Sequence, residues 1–171
     1  MERIEKAANQ IAEQIERWFF KYHKKEKSGF NGSEIFTIFH HLYYEKQNEL
    51  IRRMNLNKHE IPVVALSSNK NEFIIITTER FIRIYDSGTE SLLYSNFEGH
   101  VGYKSMAAGQ RERSKLMSVK TEGYVSEFGL KRKDGQIIYW VIPTGGPGFA
   151  FWNVTDKCAL IGRKYLIKDY K

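Results

Sequence analysis

Two apolar runs, Phe73–Ile76 and Phe81–Tyr85, flank the polar knot Thr77-Thr78-Glu79-Arg80, and they limit the fold more than any other stretch. Short β-branched and aromatic runs on either side of a tight polar turn read as two antiparallel strands. A strand with one face in water alternates apolar and polar residues. Phe73-Ile74-Ile75-Ile76 does not alternate, so this strand needs cover on both faces. The rest of the chain must therefore supply a layer on each side of the hairpin. Thr77, Thr78 and Arg80 are expected to form the turn, with Arg80 and Arg83 facing outward or pairing with neighbours.

More strands surround this pair. Residues 61–67, 91–94, 99–106, 115–121, 124–132 and 137–142 are short, rich in β-branched or aromatic residues, and separated by Ser, Asn, Asp and Gly. Lys133-Asp134-Gly135-Gln136 joins the last two, and Asp-Gly is a strong hairpin signal. Such a succession predicts an antiparallel meander, curled or closed into a barrel to hide its edges.

Before residue 61 the period is helical. Ile4, Ala8, Ile11, Ile15, Trp18 and Tyr22 recur every three or four residues and predict an amphipathic helix over 3–27. Ser28-Gly29 ends it, and Asn31-Gly32-Ser33 offers a cap for a second helix over 34–54, striped by Ile35, Phe39, Leu42, Leu50 and Met54. These two form a helical hairpin, residues 1–56, which provides the missing cover for the Phe73–Tyr85 strand pair. Residues 57–171 form the β-structure and a C-terminal helix over 149–165, with the two parts expected as one compact unit. The fold class is α+β.

The order of short antiparallel strands followed by one helix, together with FIIITTERFIRIY and the following Leu92-Leu93-Tyr94-Ser95, resembles the bacterial pleckstrin-homology-like (PH-like and GRAM-like) domains over residues 60–166. The resemblance implies a PH-like barrel capped by the C-terminal helix, and a non-catalytic scaffold that binds lipid headgroups, peptides or protein surfaces. Phosphoinositide-binding members carry clustered Lys and Arg in the loop between their first two strands. Here that loop, Ser67-Ser68-Asn69-Lys70-Asn71, has one lysine, so protein binding ranks above phosphoinositide binding.

A net charge of +7 raises the question of an anionic partner. The basic residues gather at Lys21, Lys24, Lys25 and Lys27, at Arg111, Arg113 and Lys115, and at Lys131, Arg132 and Lys133. Solvated loops and a helix C-terminus account for most of them. A site for an anion or a partner would use Arg111, Arg113, Lys115, Lys131, Arg132 and Lys133, if the hairpin tips converge at one barrel end.

The chemical alternatives are thin. His41 and Glu45 lie four apart on the predicted second helix, sharing a face with Glu49, but the spacing is not the paired-histidine pattern of zinc hydrolases. Gly145-Gly146-Pro147-Gly148 lacks the Lys-Ser/Thr ending of a phosphate loop, and Pro147 removes an N–H donor, so a strand-to-helix corner is expected. Cys158 sits among Ala159, Leu160 and Ile161 and reads as a small buried residue. Tyr103, Tyr124, Phe128 and Tyr139 read as core rather than as a stacking platform for nucleic acid. No catalytic residue, cofactor or metal ligand is therefore expected, and nucleic acid is not an expected partner.

A single cysteine and a charged N-terminus without an apolar signal region point to the cytoplasm. The expected function is a binding module for a protein partner. The alternatives are an anionic membrane surface or phosphoinositide headgroup, neutralisation of a toxin as an immunity protein, and an enzyme built around His100 or His41. Homo-oligomerisation through the N-terminal helices is a further expectation.

Overall fold

The computed structural model describes residues 2–23, 35–69, 71–104 and 125–168. In chain order its elements are β1 (Ile4–Ala7), α1 (Ala8–His23), β2 (Phe36–Ile38), a single 3-10 turn (Phe39–His41), α2 (Tyr44–Met54), β3 (Pro62–Asn69), β4 (Glu72–Thr77), β5 (Arg80–Tyr85), β6 (Gly88–Leu93), β7 (Phe97–Tyr103), β8 (Val125–Arg132), β9 (Ile137–Pro143), α3 (Gly145–Lys164) and β10 (Tyr165–Lys168). The protein is α+β, and the strand-rich half follows its sequence pattern closely.

The Phe73–Tyr85 pair forms the middle of a five-stranded sheet ordered β2-β3-β4-β5-β6, antiparallel throughout. Its register sets Ile75 opposite Ile82 and Ile76 opposite Phe81. Because side chains alternate between faces, Ile74, Ile76 and Phe81 point to one side and Ile75, Ile82 and Ile84 to the other. All six are buried, so both faces are covered as the unbroken apolar run requires. On one face Leu50 and Met54 of α2, with Phe39 and Leu42, pack against Ala65, Ile75, Ile82 and Ile84. On the other, a larger core gathers Ile11, Ile15 and Phe19 of α1, the inner side chains of β7–β9, and Phe151, Val154, Cys158 and Ile161 of α3.

The second sheet is the antiparallel meander β7-β8-β9. Its β8–β9 turn uses Gly135 at φ +87°, the left-handed conformation an Asp-Gly hairpin asks for. Phe128 and Trp140 face each other across this sheet and are buried against the first. β3 and β9 pass close to one another, yet no ladder joins the two sheets among the described residues, so the expected closed barrel is instead two separate packed sheets.

The helical hairpin also needs correction. The helix expected over 3–27 begins at Ala8, because Ile4–Ala7 leaves the helical path to pair in parallel with β10. The helix expected over 34–54 begins only at Tyr44, since Phe36–Ile38 pairs with β3 and covers that sheet edge. The two helices lie on opposite faces of the five-stranded sheet rather than against each other. α1 packs along α3 instead. Its apolar residues Ile11, Ile15 and Phe19 are thus buried within the chain. The strand expected over 115–121 lies outside the described residues.

Candidate functional site

Two regions around α3 and the β4–β5 turn hold the polar groups of most interest. The first is a clasp. The Thr77 hydroxyl accepts hydrogen bonds from the backbone of Glu79 at 3.1 Å and Arg80 at 3.0 Å, tightening the turn, and donates to Glu60 Oε1 at 2.6 Å. Arg80 closes on the same carboxylate with Nε to Oε1 at 2.9 Å and Nη2 to Oε2 at 3.0 Å. The Arg80 guanidinium also donates to the carbonyl of Asn55 at 2.9 Å, at the left-handed C-cap of α2. The Glu60 side chain is wholly buried, so its charge is tolerable only because every contact is a donor. This is a fastening between α2 and the sheet, and Arg80 pairs as expected. Arg83 likewise pairs with Glu72 and Glu90.

The second region is an open cleft of about 280 Å³ beside the C-terminal half of α3, bordered by Arg3, Glu79, Leu93, Ser95, Gly162 and Leu166. Gly162 creates its floor. A Cβ there would fall 2.0 Å from the Tyr94 carbonyl oxygen, so the helix can sit directly on the β6–β7 connection only because position 162 is glycine. Tyr94 is fully buried beneath and donates its hydroxyl to the Thr77 carbonyl at 2.6 Å, tying the cleft floor to the clasp. Leu93 and Leu166, 40% and 48% exposed, border the opening, and Ile4, 66% exposed, stands opposite Tyr165 in the β1–β10 register. Two of the large exposed apolar side chains, Leu93 and Leu166, thus meet where the first sheet, α3 and β10 come together.

Of the basic set, Lys131, Arg132 and Lys133 are among the described residues. Lys131 pairs with Glu98 at 3.1 Å and Arg132 with Asp134 at 3.2 Å. Lys133 sits at the exposed turn, its backbone N–H held by the Asn96 carbonyl at 2.9 Å. A second opening of about 330 Å³ is lined by Asn96, Arg132, Lys133 and Asp134, with mixed charge rather than a row of cations. Arg111, Arg113 and Lys115 lie outside the described residues.

The remaining reactive residues are occupied by packing. His41 ends the 3-10 turn while Glu45 lies in the first turn of α2, so the two do not share one helix as expected. Among the described residues no three His, Cys, Asp or Glu side chains gather as metal ligands. Cys158 is fully buried and hydrogen-bonded to Tyr94, and burial pushes both its thiol and the Tyr94 hydroxyl well above their ordinary pKa values. His100 is wedged between Trp152 and Phe128, with ring centroids 4.7 and 5.4 Å away. Burial lowers its pKa from 6.5, against a smaller opposing pull from Asp156, whose Oδ1 lies 3.7 Å from Nε2. Gly145–Gly148 form the first turn of α3 rather than a corner ahead of it. A Cβ at Gly148 would fall 2.2 Å from both the Pro143 carbonyl oxygen and the Tyr103 hydroxyl.

The sequence pattern assigns no site role to Leu93, Leu166, Gly162 or Glu60. Two signals were available. Adjacent leucines in a strand point to opposite faces, so Leu92-Leu93 exposes one of them. A glycine inside a helix costs about 1 kcal/mol relative to alanine and marks a close approach.

Fold and site together define an α+β protein with two packed antiparallel sheets, a helix lying between them and the chain termini, and an apolar-rimmed cleft beside that helix. Compared with protein-family models, curated proteins and solved structures, the chain gives no match. No helix among the described residues is long and apolar enough to cross a membrane.

Proposed function

We propose that this protein is a non-catalytic binding module for a protein partner, built on a PH-like scaffold and working in the cytoplasm. The scaffold reading draws on element order: the four-stranded meander β3–β6, the three-stranded meander β7–β9, then α3. The observation that carries the function is the convergence of exposed Leu93 and Leu166 on the cleft beside α3. Scattered exposed apolar residues need no explanation, whereas grouped ones mark contact surfaces. A volume of about 280 Å³ falls just below the roughly 300–1,000 Å³ of small-molecule sites, and suits one or two side chains of a partner better than a cofactor. The pairing of Lys131 and Arg132 with Glu98 and Asp134 supports a protein over an anionic membrane.

The test is site-specific photo-crosslinking in the native cell, with the crosslinking residue placed at position 93 or at position 133 of the full chain. The reading expects a protein adduct from position 93 and little from position 133. Adducts from position 133 alone, or lipid adducts, favour the basic tip and overturn it.

A further inference from the structure

The β1–β10 ribbon stands apart from both larger sheets. It pairs only four residues of each strand, in parallel, and no third strand joins it among the described residues. Parallel pairing is the weaker kind per residue, and a two-stranded ribbon is marginal without a third strand or a packed face. Here α1 and α3 hold it, because β1 runs into one helix and β10 out of the other and the two helices pack side by side. The ribbon therefore survives while leaving backbone N–H and C=O groups along an outer edge that no other strand pairs among the described residues. Such an edge is a template for an added strand.

The chemistry beside the edge narrows the occupant. Leu93 and Leu166 supply apolar contact at the rim. Of the two charged side chains there, Glu79 is engaged by the Asn57 amide at 2.6 Å, whereas Arg3 has no ion-pair partner among the described residues. Arg3 is thus the charged side chain of the mouth that has no hydrogen-bond or ion-pair partner among the described residues. Resting on the protein-binding reading above, we propose that the partner docks as an extended segment: it adds a strand to the β1–β10 ribbon, seats a branched apolar side chain against Leu93 and Leu166, and sets an acidic side chain against Arg3. Main-chain hydrogen bonds supply affinity in this mode, and the apolar and acidic side chains supply the choice of sequence.

The full-length chain is screened against a displayed library of random dodecapeptides, and enriched sequences are remade as free peptides for calorimetry. One enriched family carrying an apolar residue close to an acidic one is expected. Its binding weakens about tenfold or more in Leu166→Asp and in Arg3→Glu, the size of a truncated anchor. Lys133→Glu leaves it unchanged, and replacing the acidic residue of the peptide by lysine restores binding to Arg3→Glu. All three substitutions are at exposed positions, and unchanged thermal unfolding verifies that the fold is kept. No enriched family, or peptides indifferent to both Leu166→Asp and Arg3→Glu, overturns the proposal. So does a dimer of the chain alone in sedimentation equilibrium that Leu166→Asp dissolves, since a second copy would then be the occupant. If position 93 still crosslinks to a protein while no peptide family emerges, the binding module stands and strand addition falls. If neither occurs, both fall.

Discussion

Arg80 holds Glu60 in a fork, Nε on Oε1 at 2.9 Å and Nη2 on Oε2 at 3.0 Å, with the carboxylate entirely removed from solvent. The pair joins the turn of the central hairpin to the segment that follows α2, since Asn57 N–H also donates to Glu60 Oε2 at 3.0 Å. A buried ion pair adds little net stability over a well-packed apolar pair, because both charges are desolvated. Its influence shows when one partner is removed.

Glu60→Ala is accordingly expected to cost about 3–5 kcal/mol, because the mostly buried Arg80 guanidinium loses its counter-ion. The double change Glu60→Leu with Arg80→Met removes both charges and should recover most of that loss. Urea unfolding midpoints at constant m-value measure both. A Glu60→Ala protein as stable as the wild type would show that Asn55 and water suffice to hold Arg80.

Gly162 and Gly146 lie on the same helix with opposite expectations. A methyl group at 162 lands 2.0 Å from the Tyr94 carbonyl oxygen and 2.3 Å from its carbon, both backbone atoms that cannot swing aside. Gly162→Ala should therefore lift α3 from the β6–β7 connection and cost about 1–3 kcal/mol or more, the range of overpacked cores. At Gly146 a Cβ meets nothing within 4 Å, and Gly146→Ala should stabilise by about 0.4–1 kcal/mol by narrowing the unfolded ensemble. Thermal unfolding of the two variants side by side gives the signs.

The strands β3–β9 and α3 were legible because local rules agree there: short β-branched and aromatic runs, turn residues at the joints, and an Asp-Gly hairpin. The N-terminal region misled for a physical reason. Ile35, Phe39 and Leu42 carry helical spacing, but Phe36, Thr37 and Ile38 are buried on both sides beside β3, and a short strand covered on both faces has no alternation to betray it. Ile4–Ala7 was misread because its partner, β10, lies at the other end of the chain, and no local pattern encodes a pairing that distant. The cleft stayed hidden for the same reason, being assembled from the β4–β5 turn, the end of β6, α3 and both terminal strands. The Lys131 ion pair was illegible for a like reason, since its partner Glu98 is far away in sequence.

Cys158 should be silent toward thiol reagents in the native protein. It has no exposed surface, and burial raises its pKa so that thiolate, the reactive form, is scarce at neutral pH. Labelling with a chromogenic disulfide is expected to follow the unfolding rate in native buffer and to reach one equivalent at once in urea. Fast labelling in native buffer would mean that α3 opens locally near Tyr94.

The last expectation concerns acid. In the folded protein burial holds His100 below its ordinary pKa of 6.5, so the neutral imidazole is the form that fits between Trp152 and Phe128. The unfolded chain binds the proton more readily. The stabilisation from a neutral His100 is therefore fully present above about pH 6.5 and is lost as the pH falls from there toward the folded value. Asp156, which opposes the shift, limits that loss, so Asp156→Asn should enlarge it while His100→Gln should remove it. Urea unfolding at pH 7.5 and pH 5.0 of the three proteins separates His100 from the other histidines, because only the His100 contribution differs between wild type and His100→Gln. Identical pH dependence in those two proteins would show that the imidazole at the β7–α3 contact titrates as freely as it does in the unfolded chain.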